Sequence, residues 1–249
     1  MTILCYHAVD PCWESPLAVT PELFAEQCAW LARHRTVVPL DVALERMSPS
    51  GRLPRGMVSL TFDDGFLQLV DHVFPVLERH RLPATVFLVA ATLTSEGHPV
   101  DWVDTAPSWQ LETLDSDHVR EAQDRGFDFA SHTWSHRTLP ELDPDDCLED
   151  LRDSRVFLED LLGHPVPYLA YPRGRHDEMV RRMTQRAGYS HGLALPEGPE
   201  TPGPYAVPRA GIFPGNGPRV LRGKTNRHYH ALRQSQVFPA VRAALRREP

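Results

Sequence analysis

The sequence predicts an α/β fold in which parallel strands alternate with helices. Short apolar runs with the length of buried strands recur along the 249 residues, and amphipathic stretches with helical periodicity lie between them. Such an alternation favours parallel strands joined by right-handed crossovers. We therefore expect either a closed barrel or an open, doubly wound sheet. In both, the chemistry should lie at the carboxyl ends of the strands.

The strand candidates are apolar on both faces, as parallel strands covered by helices must be. They are Thr2 to Tyr6, Met57 to Phe62, Ala84 to Ala90, Phe127 to Ser131, Pro167 to Tyr171 and Ser190 to Leu195. A further late strand is expected beside Arg209.

The helix candidates carry recognisable start and stop signals. The first opens at Thr20 as N-cap, with Pro21 at the first helical position and Leu23, Phe24, Cys28 and Leu31 on one face. The others cover about Phe66 to His80, Pro144 to a stop at Gly163, and Met179 to Ala187 before Gly188.

Composition indicates one soluble domain over residues 1–249. The chain has 41% apolar residues, 24% charged residues and a net charge of -7, which exclude a disordered chain and give no sign of a membrane span or a nucleic-acid partner. The start of the chain lacks the basic and apolar regions of a secretory signal, so we expect a cytoplasmic protein. Its four cysteines form no Cys-x-x-Cys pair and are expected to be reduced, partly buried small hydrophobes.

Basic residues accumulate towards the end of the chain, where Glu248 is the only acid after Arg209. The set is Arg209, Arg219, Arg222, Lys224, Arg227, Arg233, Arg242, Arg246 and Arg247. A solvated basic helix face is the simpler interpretation. The alternative is a phosphate-bearing substrate or anionic partner, which Arg222, Lys224 and Arg227 would suit.

Two adjacent carboxylates, Asp63 and Asp64, follow the strand that ends at Phe62. Neighbouring side chains point in different directions, so one could bind a metal while the other activates water, and Gly65 would permit a tight backbone approach. The alternative is an Asp-Gly turn in which one aspartate caps the next helix.

His132 and His136 follow the strand that ends at Ser131. Two imidazoles four residues apart would share one face of a helical turn and could bind one ion, with a carboxylate as third ligand and open positions for water and substrate. Taken alone, the pair could also be two surface histidines near a helix cap. The coincidence of both motifs at predicted strand ends favours a metal site.

These two segments resemble the first two signature motifs of the polysaccharide deacetylases, the NodB-like carbohydrate esterase family 4. The motifs are Thr61-Phe62-Asp63-Asp64-Gly65 and Ser131-His132-Thr133-Trp134-Ser135-His136. Weaker matches extend the resemblance from Cys5-Tyr6-His7 through Leu169-Ala170-Tyr171-Pro172-Arg173-Gly174 to Val207-Pro208-Arg209. The resemblance implies a distorted (β/α)7 barrel, Asp63 as general base, and Asp64, His132 and His136 as metal ligands.

The chain departs from the family pattern at two places. Many members pair the base with an arginine of the third motif, but Ala170 stands there, and Arg209 is our substitute. A C-terminal Leu-x-His motif for the general acid is missing, so His7 is expected to take that role, as in the rearranged order of poly-N-acetylglucosamine deacetylases. His98, His176 and His191 are competitors for the same role. The resemblance also assigns the amide of Arg173 to an oxyanion site.

The implied activity is hydrolysis of an N-acetyl group from an amino sugar, with release of acetate. The substrate would be an N-acetylated oligosaccharide, glycoside or secondary-metabolite intermediate. Zinc is the expected cofactor, and Co²⁺, Ni²⁺ or Fe²⁺ would suit the same ligands. Trp102, Trp134 and Tyr171 are either sugar-stacking residues or core residues. A non-catalytic carbohydrate-binding barrel that retains the metal site is the alternative function.

Overall fold

Strands and helices alternate along the chain, as the sequence predicts. The computed structural model describes residues 2–196, 200–226, 228–233 and 235. The strands are β1 (Thr2–Tyr6), β2 (Ala8–Val9), β3 (Ala18–Val19), β4 (Thr36–Val37), β5 (Met57–Phe62), β6 (Ala84–Leu88), β7 (Asp128–Ser131), β8 (Tyr168–Ala170), β9 (His191–Ala194) and β10 (Val207–Gly211). The helices are α1 (Pro21–His34), α2 (Leu40–Glu45), α3 (Leu69–His72), α4 (Phe74–His80), α5 (Ser116–Asp124), α6 (Pro144–Leu162), α7 (Glu178–Arg186), α8 (Pro218–Lys224) and α9 (Tyr229–Arg233).

The parallel sheet closes on itself into a barrel. β1 pairs with β10 on one side and with β5 on the other, and the strand order between them is β10-β9-β8-β7-β6-β5. Closure excludes the open, doubly wound sheet, because an open sheet has two unpaired edges. The prediction of a distorted (β/α)7 barrel is therefore confirmed. The distortion is clearest between β7 and β8, whose register consists of one pair, Ser131 and Leu169.

Alternate residues of each strand face the barrel interior and the surrounding helices. Ile3 belongs to an interior cluster with Phe87 and Leu193, whereas Leu4 and Tyr6 belong to the larger cluster between the barrel and its helices. This alternation explains why the strands read as apolar on both faces. The same alternation directs other interior side chains, which lie nearer the carboxyl ends of the strands, towards the candidate site at that end of the barrel.

The predicted helix over Phe66 to His80 is wrong in its extent. The helical part begins at Leu69, because Phe66 forms a β-bridge with Thr113. It is then divided into α3 and α4 near Pro75, which lacks the amide hydrogen needed to continue the hydrogen-bond ladder. The strand predicted to reach Ala90 ends at Leu88, where a short 3-10 turn over Ala90–Leu93 follows Val89.

The helix end signals hold for α1 and α6. Thr20 caps α1 by accepting a hydrogen bond from the Leu23 amide at 3.3 Å, and α6 ends at Gly163 as expected. The short elements β2, β3, β4 and α2 were not predicted, because six or fewer residues carry too little periodicity to identify.

Three of the four cysteines are buried as free thiols, and Cys12 is exposed. Among the residues described, no helix is both long and apolar enough to span a membrane. The single domain over 1–249 stays a prediction. Of the basic tail, Arg227, Arg242, Arg246 and Arg247 lie outside the described residues.

Candidate metal centre and active site

Asp64, His132 and His136 converge at the carboxyl ends of β5 and β7. One donor atom from each lies within 4.8 Å of the other two, and all three side chains are buried. The Asp64 Oδ1 atom is 3.6 Å from His132 Nε2 and 3.4 Å from His136 Nε2. The backbone reaches this arrangement through Gly65, which has a positive φ of 64° and where a Cβ would lie 2.7 Å from the Leu88 side chain.

The prediction that the two histidines share a helical turn is wrong. The segment after β7 is an irregular bend in which Thr133 and His136 both have positive φ, at 71° and 57°. Side chains replace the helical hydrogen bonds. The Ser131 hydroxyl accepts from the Thr133 amide at 3.1 Å, and the Thr133 hydroxyl accepts from the His136 amide at 3.1 Å. The four-residue spacing thus delivers both imidazoles to one point without a helix.

A buried carboxylate on α6 holds the same bend from behind. Asp150 accepts a hydrogen bond from the Trp134 amide at 2.9 Å and another from the Ser135 hydroxyl at 3.2 Å. Burial raises the pKa of Asp150, while these donors and the nearby Arg137 favour its ionised form. The long helix therefore anchors the histidine segment to the barrel wall.

The protonation states of the cluster suit a cation. The Nδ1 atom of His132 lies 2.8 Å from the Ala170 carbonyl oxygen, so the proton belongs on Nδ1 and Nε2 is left as a donor to a metal. Burial lowers the pKa of His132, and it lowers that of His136 to about 2, so both rings are neutral. Burial and the adjacent Asp63 raise the pKa of Asp64 to about 8. A divalent ion would relieve that cost by favouring the ionised carboxylate, so these residues fit a metal.

Asp63 lies beside the cluster and forms a buried ion pair with Arg209 of β10. The guanidinium donates from Nη1 to Oδ1 at 2.6 Å and from Nη2 to Oδ2 at 2.7 Å, and neither side chain is more than 2% exposed. Burial alone would raise the pKa of Asp63, but the Arg209 charge and hydrogen bonds outweigh it and hold that pKa well below its ordinary value. Asp63 is thus a buried carboxylate that stays ionised, and its Oδ2 atom lies 3.9 Å from His132 Nε2.

Cys5 of β1 and His7, which directly follows β1, border Asp63 on its other side. Cys5 donates from its thiol to Asp63 Oδ2 at 3.3 Å, and a ring nitrogen of His7 lies within 4.8 Å of both. Burial holds the pKa of the Cys5 thiol well above its ordinary value, so Cys5 stays protonated and can donate. Burial lowers the pKa of His7 to about 4, which makes its imidazole neutral at pH 7.

The loop after β8 brings a backbone amide to the same mouth of the barrel. Arg173 has a positive φ of 57° within a 3-10 turn over Pro172–Gly174. The amides of Gly174 and Arg175 donate to the carbonyls of Tyr171 and Pro172, whereas the Arg173 amide donates to none of the acceptors in the described part of the chain. The Arg173 side chain points instead to Asp104, with hydrogen bonds of 2.9 and 3.0 Å.

The three competing histidines have other partners. His98 lies 3.8 Å from Asp101, His176 Nε2 lies 2.8 Å from Glu200, and His191 begins β9 at the opposite end of the barrel, beside Tyr168.

Most of the aromatic and basic candidates discussed next also have partners away from the metal-ligand candidates. Tyr171 is fully buried, and Trp134 packs against Phe157 of α6, so both contribute to packing. Only Trp102 of the three predicted aromatics contacts the metal-ligand candidates. Lys224 does not face solvent for a phosphate, because its ammonium group donates to the Gly211 carbonyl and the Asn216 side chain.

Cys5, Asp150 and the Trp102 hydrogen bond were not expected from the sequence. The apolar pattern of β1 hides a polar role for Cys5, since a buried cysteine reads as a small hydrophobe. Asp150 offers a weak signal, because it is a carboxylate at a buried position of an amphipathic helix, between Leu148 and Leu151.

Comparison with known proteins is consistent with this arrangement. A family model described as polysaccharide deacetylase matches residues 50–192. YxkH of Bacillus subtilis is 24% identical over 219 residues, which are 86% of this chain and 72% of that protein. The poly-beta-1,6-N-acetyl-D-glucosamine N-deacetylase of Staphylococcus epidermidis is 26% identical over 204 residues, covering 77% of this chain and 67% of that one.

A solved structure agrees on the fold. Streptococcus pyogenes deacetylase PplD superposes with a TM-score of 0.76 at 23% identity, over 91% of this chain and 98% of that one. The family model covers more than half of the chain and includes both the Asp63–Asp64 and the His132–His136 segments. With this match and a closed seven-stranded barrel, the chain belongs to the polysaccharide deacetylase family.

Proposed function

We propose that this chain is a metal-dependent N-deacetylase that removes the acetyl group from an N-acetylated amino sugar, with the metal bound by Asp64, His132 and His136. The observation that carries the proposal is the separation of two adjacent carboxylates into different environments. Asp64 faces the histidines, while Asp63 is paired with Arg209 and kept ionised. A site that only binds a metal needs a carboxylate facing the two histidines, as Asp64 does. A second carboxylate that is kept ionised beside it, as Asp63 is, is needed only if the site catalyses a reaction.

Each residue around the cluster has a chemical task in this proposal. Asp64, His132 and His136 would hold a divalent ion, which would supply Lewis-acid polarisation of the amide carbonyl and of the attacking water. Asp63 accepts a proton from that water, and Arg209 keeps Asp63 ready to accept it at neutral pH. The water oxygen adds to the acetyl carbon, and the Arg173 amide donates to the oxygen on which negative charge develops. One such donor is typically worth about 3–4 kcal/mol of transition-state stabilisation.

His7 completes the reaction by delivering a proton to the sugar nitrogen as the C–N bond breaks. Its imidazole starts neutral, because burial lowers the pKa of His7 to about 4. It therefore acts as a relay, taking up the proton that Asp63 accepted from water and passing it to the amine, which returns Asp63 to its ionised form. The products are acetate and the free amino sugar, so one water is consumed for each bond cleaved.

Zinc is the proposed ion, since two neutral imidazoles and one carboxylate form a three-ligand site with positions left for water and substrate. Co²⁺, Ni²⁺ and Fe²⁺ accept the same donors. The proposed substrate class is an N-acetylhexosamine unit of an oligosaccharide or glycoside. It is supported by the name of the staphylococcal relative, which acts on a polymer of N-acetyl-D-glucosamine.

Three variants test the proposal. Asp64→Ala and His132→Ala should lose both bound metal and acetate release, whereas Asp63→Asn should keep the metal and lose turnover. Metal content is measured by mass spectrometry, and acetate is measured after incubation with a panel of N-acetylhexosamine oligosaccharides and glycosides. Acetate release from metal-free protein would refute the metal-dependent reaction. A wild-type chain that binds metal but releases acetate from none of the panel would favour the non-catalytic carbohydrate-binding alternative.

A further inference from the structure

One tryptophan outside the ligand set touches two of the three metal-ligand candidates. Trp102 lies on the segment between β6 and α5, and here residues 98–105 are called the Trp102 segment. We propose that Trp102 is a positioning residue that fixes the orientation of Asp64 and His136 for metal binding. This inference rests on the metal site of the proposed function.

The first contact is a hydrogen bond to the carboxylate. Trp102 donates from Nε1 to Asp64 Oδ1 at 3.0 Å, and this is the oxygen that faces the Nε2 atoms of His132 and His136. An indole N–H is a donor only, so it can hold an oxygen without competing for the cation. The bond restrains rotation of the carboxylate and keeps Oδ1 directed at the point where the imidazoles converge.

The second contact replaces a hydrogen bond that one histidine lacks. A metal-binding histidine is usually oriented by its other ring nitrogen, as His132 is by the Ala170 carbonyl. The corresponding Nδ1 atom of His136 is buried and has no hydrogen-bond partner in the described part of the chain. The Trp102 ring instead stacks on the His136 imidazole, with centroids 4.9 Å apart and planes inclined by 22°. Packing thus sets the plane of this imidazole.

The Trp102 segment is itself held at both sides of the barrel mouth. Arg173 donates to the Trp102 carbonyl at 2.8 Å and forms a two-pronged pair with Asp104. On the other side, Trp13 donates from Nε1 to the Thr105 carbonyl at 2.7 Å. Arg173, whose amide is the proposed oxyanion donor, therefore also anchors the tryptophan through its side chain.

The test separates the two contacts. Trp102→Phe removes the hydrogen bond and keeps an aromatic ring on His136, whereas Trp102→Leu removes both. Trp109→Phe is the matched control, because Trp109 is 42% exposed on the same connection. Affinity for Zn²⁺ is measured by calorimetry, and the visible absorption of bound Co²⁺ reports ligand geometry. Thermal unfolding of the metal-free chains shows whether each variant is folded.

We expect Trp102→Leu to weaken Zn²⁺ binding by about 10- to 100-fold, the usual effect of removing a partner of a metal ligand. Trp102→Phe should weaken it less and shift the Co²⁺ spectrum, and Trp109→Phe should change neither. Wild-type affinity and spectrum in both Trp102 variants would overturn the inference. Calorimetry does not depend on turnover, so a wild-type chain that binds Zn²⁺ but releases no acetate defeats only the proposed deacetylation.

Discussion

Replacement of Arg209 by methionine provides the sharpest test of how the barrel interior supports the site. Arg209→Met retains a flexible, unbranched but shorter side chain and removes the guanidinium, whose carbon lies 5.3 Å from the centroid of the Phe87 ring. It removes the positive charge that forms hydrogen bonds with both Asp63 oxygens. Asp63 is then a buried carboxylate beside a second carboxylate, Asp64, with no guanidinium to offset either burial or repulsion.

The expected loss of stability is large because the ion pair is shielded from water. Removal of one partner of a buried ion pair lowers the unfolding free energy by about 3–5 kcal/mol, and the total unfolding free energy of a typical domain is only about 5–15 kcal/mol. The pH dependence of the stability should also have the opposite sign in the variant. The depressed pKa of Asp63 gives the native chain stability that is present above about pH 4 and is lost as pH falls. In Arg209→Met burial raises that pKa, so the stability of the variant should fall as pH rises above about 4.

Urea unfolding at several pH values measures both the loss of stability and its pH dependence. In the pH profile of kcat/KM, the acid limb of the variant should lie at higher pH than that of the wild type. Asp63→Asn combined with Arg209→Met removes both charges and should recover most of the lost stability without recovering activity. Arg120→Met is the control, because its partner Asp117 is exposed and surface pairs contribute about 0–1 kcal/mol. A loss in Arg209→Met no larger than in Arg120→Met would refute the reasoning.

Three further variants have defined outcomes. Gly174→Ala should reduce acetate release, and it should lower the stability measured in urea more than Gly97→Ala does. Both glycines have φ of 68°, but only at Gly174 would a Cβ lie 2.5 Å from the Leu195 amide nitrogen. Equal losses of stability in the two variants would contradict this reasoning. Burial lowers the pKa of Lys224, the only lysine, to about 7, so the unfolded chain binds more protons between about pH 7 and 10.5. Lys224→Met should flatten the rise of wild-type stability with pH over that window, and an unchanged slope would exclude a depressed pKa. His7→Gln should retain Zn²⁺ in calorimetry and lose turnover, and undiminished acetate release would remove His7 from the mechanism.

The carboxyl ends of β5 and β7 were predictable because local sequence defines them. An apolar run buried on both faces identifies a parallel strand, and a polar residue directly after it must lie at the mouth of the barrel. Asp63, Asp64 and His132 follow their strands immediately, so their proximity required only that the strands be neighbours in one sheet or barrel. The broken helix near Pro75 was harder, since the apolar pattern continues across the proline.

The local conformation around the histidines could not be predicted. A four-residue spacing suggests a helical turn, but the bend after β7 is set by Ser131, Thr133 and Asp150, and Asp150 comes from a different element. Side-chain hydrogen bonds of this kind leave no periodic trace in a sequence.

Local sequence patterns are enough to predict the alternation of strands and helices and to find the two motifs at strand ends. Three further features come only from the tertiary structure: the thiol of Cys5 on Asp63, the indole of Trp102 on Asp64, and the use of two guanidinium nitrogens by Arg209, the expected partner of Asp63. The physical reason is closure of the barrel. It brings β1 and β10 together beside β5, and contacts between residues 146 positions apart in the chain depend on that closure and not on local preference.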